Sequence, residues 1–398
     1  MIARLIPIIL VTLFLPNLYL YGAFLRRRDV PLWKKALLWF PELLLLIGAI
    51  VIGSTETLSP ENLIYIGIYL VLYMLVALPK MMQAIVAFPL NLLGRLWSPL
   101  HRIAAVTARI ARWSTFGIVA YGALWGPDRL VVRTADYTNA TLPAAFDGYR
   151  IVQFSDVHLA SFQQRPEQID LLVDSINALQ PDMIVFTGDL VNTDADELLP
   201  FLPALSRLHA PDGVFSILGN HDYQNYARYL SPTGQAEHLK LLKDGQRQMG
   251  WRLLLNEHAV IHRDTDSIAI VGVENDGKPP FPERGDLKRA LGHLPGYGQQ
   301  NPADPNQIFK ILLSHDPTHW RRKVLPETDI PLTLAGHTHG MQFMLFGWSP
   351  SQYVYPEWRG MYQEDGRALY VSLGVGGALI PFRFGAWPEI NVITLHRK

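Results

Sequence analysis

No cysteine occurs anywhere in the 398 residues. That absence removes disulfide scaffolds, thiolate zinc sites, iron–sulfur clusters and cysteine nucleophiles together. It leaves the redox compartment open, because a thiol-free chain suits either side of a membrane. Net charge is missing as well: 35 basic and 35 acidic side chains cancel. A nucleic-acid binder shows a basic excess, so no nucleic-acid partner is expected. Apolar residues are plentiful, at 49%, and the length suits two or three domains with a large core.

Acidic residues are scarce in the first third. Residues 1–128 carry 11 Lys or Arg against 5 Asp or Glu, a net of +6, and the remainder carries −6. An apolar, positively biased third joined to an acidic soluble portion is a membrane-anchor pattern. Residues 5–25 form an uncharged apolar run of 21 residues, enough to cross a hydrocarbon core of about 30 Å. Further runs cover 36–53, with Glu42 near its start, and 63–79. A fourth, 113–125, must recruit 103–111 with Arg109 and Arg112 to reach spanning length, and arginines near a helix end can snorkel. Residues 81–100 are interrupted by Pro89, Gly94, Arg95 and Pro99 and read as an interfacial segment. The first run lacks a small-residue cleavage site, which disfavours a removed signal peptide.

Basic loops mark the cytoplasmic side. The stretches 26–35 and 80–112 are basic, whereas 54–62 carries only acids. Four spans then place the following domain outside the cytoplasmic membrane; counting 81–100 as a fifth would place it in the cytoplasm. The expected division is a transmembrane helical region over 1–128, a linker over 129–148 with a possible strand at 129–133, and a soluble domain over 149–398.

From Tyr149 the chain alternates apolar strands with amphipathic helices. Strands are expected at 150–155, 183–187, 214–218, 252–255, 258–262, 267–273, 309–313, 332–335, 368–373 and 390–395. Helices are expected at 166–179, 197–208 and 235–249. Continuous apolar strands imply a sheet covered on both faces, hence a layered α/β domain that binds ligands at its strand ends.

Polar residues collect at those ends. Asp156-Val157-His158 closes the first strand, Gly188-Asp189 the second and Gly219-Asn220-His221-Asp222 the third. His315 follows 309–313, and Gly336-His337-Thr338-His339 follows 332–335. Imidazoles and carboxylates in this number suit a pair of divalent ions, Mn, Fe, Zn, Co or Ni better than Mg or Ca. Two ions held close together need a bridging carboxylate and can drive in-line displacement at phosphorus.

This pattern resembles the calcineurin-like metallophosphoesterases, whose motifs run D-x-H, G-D, G-N-H-D/E, His and G-H-x-H. All five are present in order, and the resemblance covers about 149–395. It implies an α/β/β/α sandwich and two divalent metal ions, manganese first among the candidates. Asp156, His158 and His339 would hold one ion, and Asn220, His315 and His337 the other, with Asp189 bridging. His221 would serve the leaving-group oxygen, oriented by Asp222. An N-terminal membrane segment, the RIVQFSDVHL strand, Gln342 after GHTHG and the run from Arg383 to Ile390 look most like the membrane-associated bacterial branch. Some of its members hydrolyse the pyrophosphate of UDP-2,3-diacylglucosamine. Met341 stands where many relatives have Gly, which alters a loop without touching the ligands.

Off the motif, His209, His258, His262 and His319 read as structural. Asp316 is either a turn residue or a partner of a ligand, and residues 275–277 and 374–377 read as turns. Arg383 is balanced between a phosphate contact and an ordinary ion pair. The apolar stretch 341–348 is either a packed hairpin or a greasy lip for an acyl chain. The expected protein is therefore an integral membrane phosphohydrolase of the bacterial cytoplasmic membrane, with its catalytic domain extracytoplasmic. A bridging hydroxide would attack phosphorus in a diester or pyrophosphate, on a lipid-linked or nucleotide-lipid substrate. A phosphomonoesterase or protein phosphatase, or a membrane sensor using the domain for binding, are the competing readings.

Overall fold

The computed structural model describes residues 6–26, 29–54, 59–227, 229–292, 294 and 308–398. It divides into two compact units. One takes in the helices up to Gly126 and the segment Leu379–Phe384; the other takes in Pro127–Ala378 and Gly385–Lys398.

The second unit holds twelve strands among its described residues: β1 (Val131–Asn139), β2 (Arg150–Phe154), β3 (Met183–Phe186), β4 (Val214–Ser216), β5 (Arg252–Leu253), β6 (Glu257–Arg263), β7 (Asp266–Gly272), β8 (Phe309–Leu313), β9 (Leu332–Ala335), β10 (Gly360–Glu364), β11 (Arg367–Val371) and β12 (Glu389–Arg397). They form two six-stranded mixed sheets, ordered β1-β12-β2-β3-β4-β5 and β10-β11-β9-β8-β7-β6. Side-chain alternation along each strand builds three apolar layers. Ile151, Met183 and Val185 point between the sheets, where they meet Ile311, Leu313, Leu332 and Leu334. Val152, Phe154, Ile184 and Phe186 point outward onto Ile169, Leu172, Val173 and Ile176 of the helix Glu167–Ala178. Val271, Leu312 and Val371 on the far face are covered by Leu287, Ala290, Leu291 and Trp320. The result is the α/β/β/α sandwich.

Three sequence expectations differ from the structure. The linker expected over 129–148, with a possible strand at 129–133, supplies the longer β1, which pairs in parallel with β12 over nine residues. Its mixed, half-exposed composition is that of an edge strand, which shows no continuous apolar run. The helix expected over 197–208 is a 3₁₀ segment, Ala195–Phe201, followed by one short turn, Leu202–Leu205. Pro200 and Pro203 remove the amide donors a longer helix would need. The segment read as interfacial from residue 81 instead continues one helix, Pro60–Leu93, straight through Pro79 and Pro89.

In the first unit, the helices Pro7–Leu25 and Asn62–Leu93 are long and apolar enough to cross a membrane, and Phe40–Ser54 is a shorter apolar helix. Residues 27, 28 and 55–58, on which part of the orientation reading rests, lie outside the described residues. Large apolar side chains such as Val11, Leu15, Ile47, Ile68 and Ile85 are at least half exposed. Inside the bundle, Glu42 is completely buried and pairs with Lys80, which also donates to the Leu38 carbonyl at 3.2 Å. Residues 38 positions apart, Glu42 inside one apolar run and Lys80 just past the end of another, gave no sign of this pairing.

A buried ion pair broken on one side leaves an uncompensated charge, at a cost of about 3–5 kcal/mol. Glu42→Gln or Lys80→Met alone should lose stability on that scale in detergent-solubilised thermal unfolding. The double variant should recover most of it. Single variants as stable as the parent would show that the pair contributes nothing.

Candidate metal centre

Strands β2, β3 and β4 run parallel in one sheet, as do β8 and β9 in the other, and the loops after them converge. Asp156, His158 and His339 bring one potential ligand atom each to within 4.8 Å of one another, as do Asp189, His315 and His337. A third set, His158, Asp189 and His221, overlaps both. The contacts are close: His339 Nε2 to Asp156 Oδ1 is 3.3 Å, His158 Nε2 to His339 Nε2 3.1 Å and His315 Nε2 to Asp189 Oδ2 3.2 Å. Asp189 Oδ2 also lies 3.7 Å from His158 Nε2, so this carboxylate touches members of both groups.

The backbone is bent to achieve this. Asp156, His158, Asp189, His337 and His339 all have φ between 49° and 74°, a left-handed conformation costing a non-glycine residue of order 1–3 kcal/mol. Hydrogen bonds within the site hold it: Asp156 N–H donates to the Gly188 carbonyl, His158 N–H to that of Asp189, and His337 N–H to Asp156 Oδ2 at 3.0 Å. The motif glycines leave room for the carboxylates. A Cβ on Gly219 would fall 2.2 Å from Asp189 Oδ1, and one on Gly336 2.4 Å from Asp156 Oδ2.

The outer ring nitrogens are committed elsewhere. His315 Nδ1 donates to the Thr187 carbonyl and His221 Nδ1 to that of Asn192, both at 2.7 Å, so each presents Nε2 inward. Asn220 turns its amide nitrogen to Tyr226 Oη at 3.2 Å, and its Oδ1 is buried with no protein partner. Burial pushes the Asp156 carboxyl up to about 6 and His337 down to about 4. Burial also opposes charge on Asp189, but the His315 and His221 charges win and hold it well below the usual carboxylate range. In turn, the Asp189 charge overcomes burial at His315 and lifts it to about 10. Four imidazoles, two carboxylates and an orphaned buried amide oxygen on Asn220 make up the donor set. That is an environment for cations.

The calcineurin-like phosphoesterase family matches residues 149–341. The chain is also 34% identical over 303 residues to the Bacillus subtilis protein named "Uncharacterized metallophosphoesterase YkuE", covering 70% of this chain and 94% of that one. The chain belongs to the calcineurin-like metallophosphoesterase family. It is 27% identical over 304 residues to a Bos taurus "Transmembrane protein with metallophosphoesterase domain", covering 74% of this chain and 63% of the relative. It is 30% identical over 310 residues to the Chlamydia trachomatis "UDP-2,3-diacylglucosamine pyrophosphatase LpxG", covering 63% and 86%. Its buried His/Asp clusters are those of a metal-dependent phosphoesterase.

In this metallophosphoesterase the partner of His221 differs from the sequence expectation. Among the described residues Asp222 does not bond to the imidazole; its carboxylate accepts backbone N–H groups from Gly219, Asp189, Leu190 and Val191 at 2.8–3.3 Å. The ring is held by the Asn192 carbonyl instead. Glu197, which motif reasoning missed, is buried and secures that carbonyl's loop. It accepts Asn192 N–H at 2.6 Å, Thr193 N–H at 2.7 Å and Ala160 N–H at 3.1 Å. The D-x-x-E spacing from Asp194 to Glu197 is a capping box and was the available signal.

The four histidines expected to be structural bond away from the centre: His319 with Ser314 Oγ, His258 with the Ala290 carbonyl, His262 with Ser267 and His209 with the Arg207 carbonyl. Asp316 Oδ1 accepts Thr318 N–H in a turn, while its Oδ2 lies 3.8 Å from His337 Nε2. Residues 374–377 pack beneath Asp156, with Gly376 N–H donating to its carbonyl. Asp276 is more than a turn residue: fully buried, it pairs with Arg322 and Lys323. Arg383 is buried in the first unit.

Two outcomes follow. Asp222→Asn would set an amide donor against backbone donors, costing about 1–3 kcal/mol. It should therefore lower unfolding stability and metal content together; lost turnover at unchanged stability would return Asp222 to orienting His221. Burial lowers His319 from near 6.5 to about 4. The unfolded chain therefore takes up this proton first, and the contribution is whole above about pH 6.5 and is lost as pH falls towards 4. The stability difference between the parent and His319→Gln should shrink over that range. A difference independent of pH would exclude this.

Proposed function

We propose that this chain is a membrane-anchored phosphodiesterase or pyrophosphatase whose substrate carries its phosphate on a lipid. The observation that carries the reading is the pair of His/carboxylate groups sharing Asp189. Asp156, His158 and His339 would hold one divalent ion, Asn220, His315 and His337 a second, and Asp189 both. Manganese, zinc, iron, cobalt or nickel suits these donors. Bound there, the ions supply charge neutralisation of a phosphoryl group and an activated water. His221 serves the leaving group: its Nδ1–H is fixed on the Asn192 carbonyl, so the proton it delivers sits on Nε2.

The lipid part rests on separate observations. Two helices have spanning length, and apolar side chains line the outer faces of the helical unit. A two-residue turn closed by Leu345 and Trp348 carries Phe346 fully exposed at its tip, with Met341 and Trp348 partly exposed nearby. A hairpin that presents phenylalanine to solvent fits a lip for an acyl chain. The relative named as a UDP-2,3-diacylglucosamine pyrophosphatase supports the same substrate class. Residues 81–93 extend one helix and do not start another, which supports four spans over five and with them an extracytoplasmic catalytic unit; a C-terminal alkaline phosphatase fusion should then be active.

The test is hydrolysis of bis- against mono-p-nitrophenyl phosphate with Mn, Zn or Mg, beside a diacylated pyrophosphate in vesicles. The diester and the lipid pyrophosphate should be turned over, and His221→Ala should reduce kcat by about 10²–10⁴ with little change in KM. Phe346→Asp should impair only the vesicle-borne substrate. Preference for the monoester, or full activity of His221→Ala, would sink the reading.

A further inference from the structure

Two tyrosines outside every motif touch the centre, and both touch the same half of it. Tyr355 Oη lies 3.0 Å from His337 Nε2, while Nδ1 of that ring faces His315 Nε2 at 3.3 Å. A histidine that coordinates through Nδ1 must keep its proton on Nε2, and the hydroxyl oxygen is placed to accept it. Asp316 Oδ2, the other candidate acceptor, is 3.8 Å away, beyond hydrogen-bond length. The Tyr355 ring is itself packed against the Trp358, Leu373 and Ala386 cluster, and Phe281 meets the His337 ring edge-on at 4.7 Å.

Tyr226 does the equivalent for the amide ligand. An asparagine can present oxygen or nitrogen with similar shape. Here Nδ2 donates to Tyr226 Oη, which aims the unpartnered Oδ1 the other way. The same tyrosine ring stacks on His221, with centroids 4.2 Å apart and planes 25° from parallel. The third member of this group, His315, is fixed by the Thr187 carbonyl. In the other half, Asp156 is fixed by backbone N–H of His337 instead.

We propose that Tyr226 and Tyr355 are positioning residues that hold Asn220 and His337 in their coordinating forms, so that removing either hydroxyl weakens the ion of the Asn220–His315–His337 half and spares the other. This rests on the two-ion reading above.

The test uses the full-length protein in detergent, stripped of metal and titrated with Mn²⁺ by calorimetry, with Co²⁺ absorption spectra as a second readout. Two binding events in the parent protein test the two-ion reading itself. Tyr355→Phe and Tyr226→Phe should each weaken one event by about 10–100-fold and leave the other unchanged. The Co²⁺ bands of the weakened site alone should shift, at unchanged thermal stability of the metal-free protein. If the parent binds two ions and both variants bind them with parental affinity, the proposal fails while the two-ion reading stands. Equal weakening of both events, or lowered stability of both metal-free variants, would show a general structural role and overturn it. A parent binding fewer than two ions overturns both.

Discussion

The centre depends on one buried carboxylate. Asp189 sits at the end of β3 in a left-handed backbone conformation, 2% exposed, with His315 at 3.2 Å and His158 at 3.7 Å from its Oδ2. Removing a carboxylate from water costs several kcal/mol unless positive charge and donors replace the solvent. Here imidazoles supply the charge and His221 N–H donates to Oδ1 at 2.8 Å. Much else is arranged to keep this residue in place: Gly219 has no side chain because Asp189 occupies its space, and Asp222 grips the Asp189 amide.

The loops at the strand ends have little regular structure, so their amide groups need other acceptors. Two buried carboxylates provide them. Asp222 gathers the segment after β3 and Glu197 gathers the next few residues. Five left-handed non-glycine residues can persist in one site only because the surroundings over-determine them. The sandwich, with sheets buried on both faces, is the rigid frame against which that strain is held.

The chemistry was legible because it lies in residue type and order: five short motifs follow five strands, and each strand announced itself as an apolar run. What was not legible depends on meetings between distant side chains. The partner of Asp222 is a set of backbone amides, which no motif encodes. Tyr226 and Tyr355 stand in loops whose path the spacing does not fix. β1 showed only as a possible strand at 129–133 within a linker, because an edge strand beside β12 is mostly exposed. Prolines misled in both directions. Pro200 and Pro203 break the expected helix, whereas Pro79 and Pro89 sit inside a long apolar one, where each removes a single amide donor from a ladder otherwise intact.

The missing thiolates bear on the charge of the centre. Of the seven proposed ligands only Asp156 and Asp189 are carboxylates; four histidines and Asn220 would coordinate as neutral donors. Two divalent ions would therefore keep a surplus of about two positive charges after the protein's own contribution. Cysteine thiolates or further carboxylates in the same places would have cancelled it. A surplus held in a water-poor pocket on fixed donors is matched to a phosphoryl group, whose negative charge must be met as bonds to phosphorus change. The chain can be neutral overall and acidic across its soluble part and still attract an anion, because field at this range is set by the ligands. On the proposed ligand set a neutral amide at position 220 would thus be part of the chemistry: an aspartate there would hold an ion more tightly and leave less charge for the substrate.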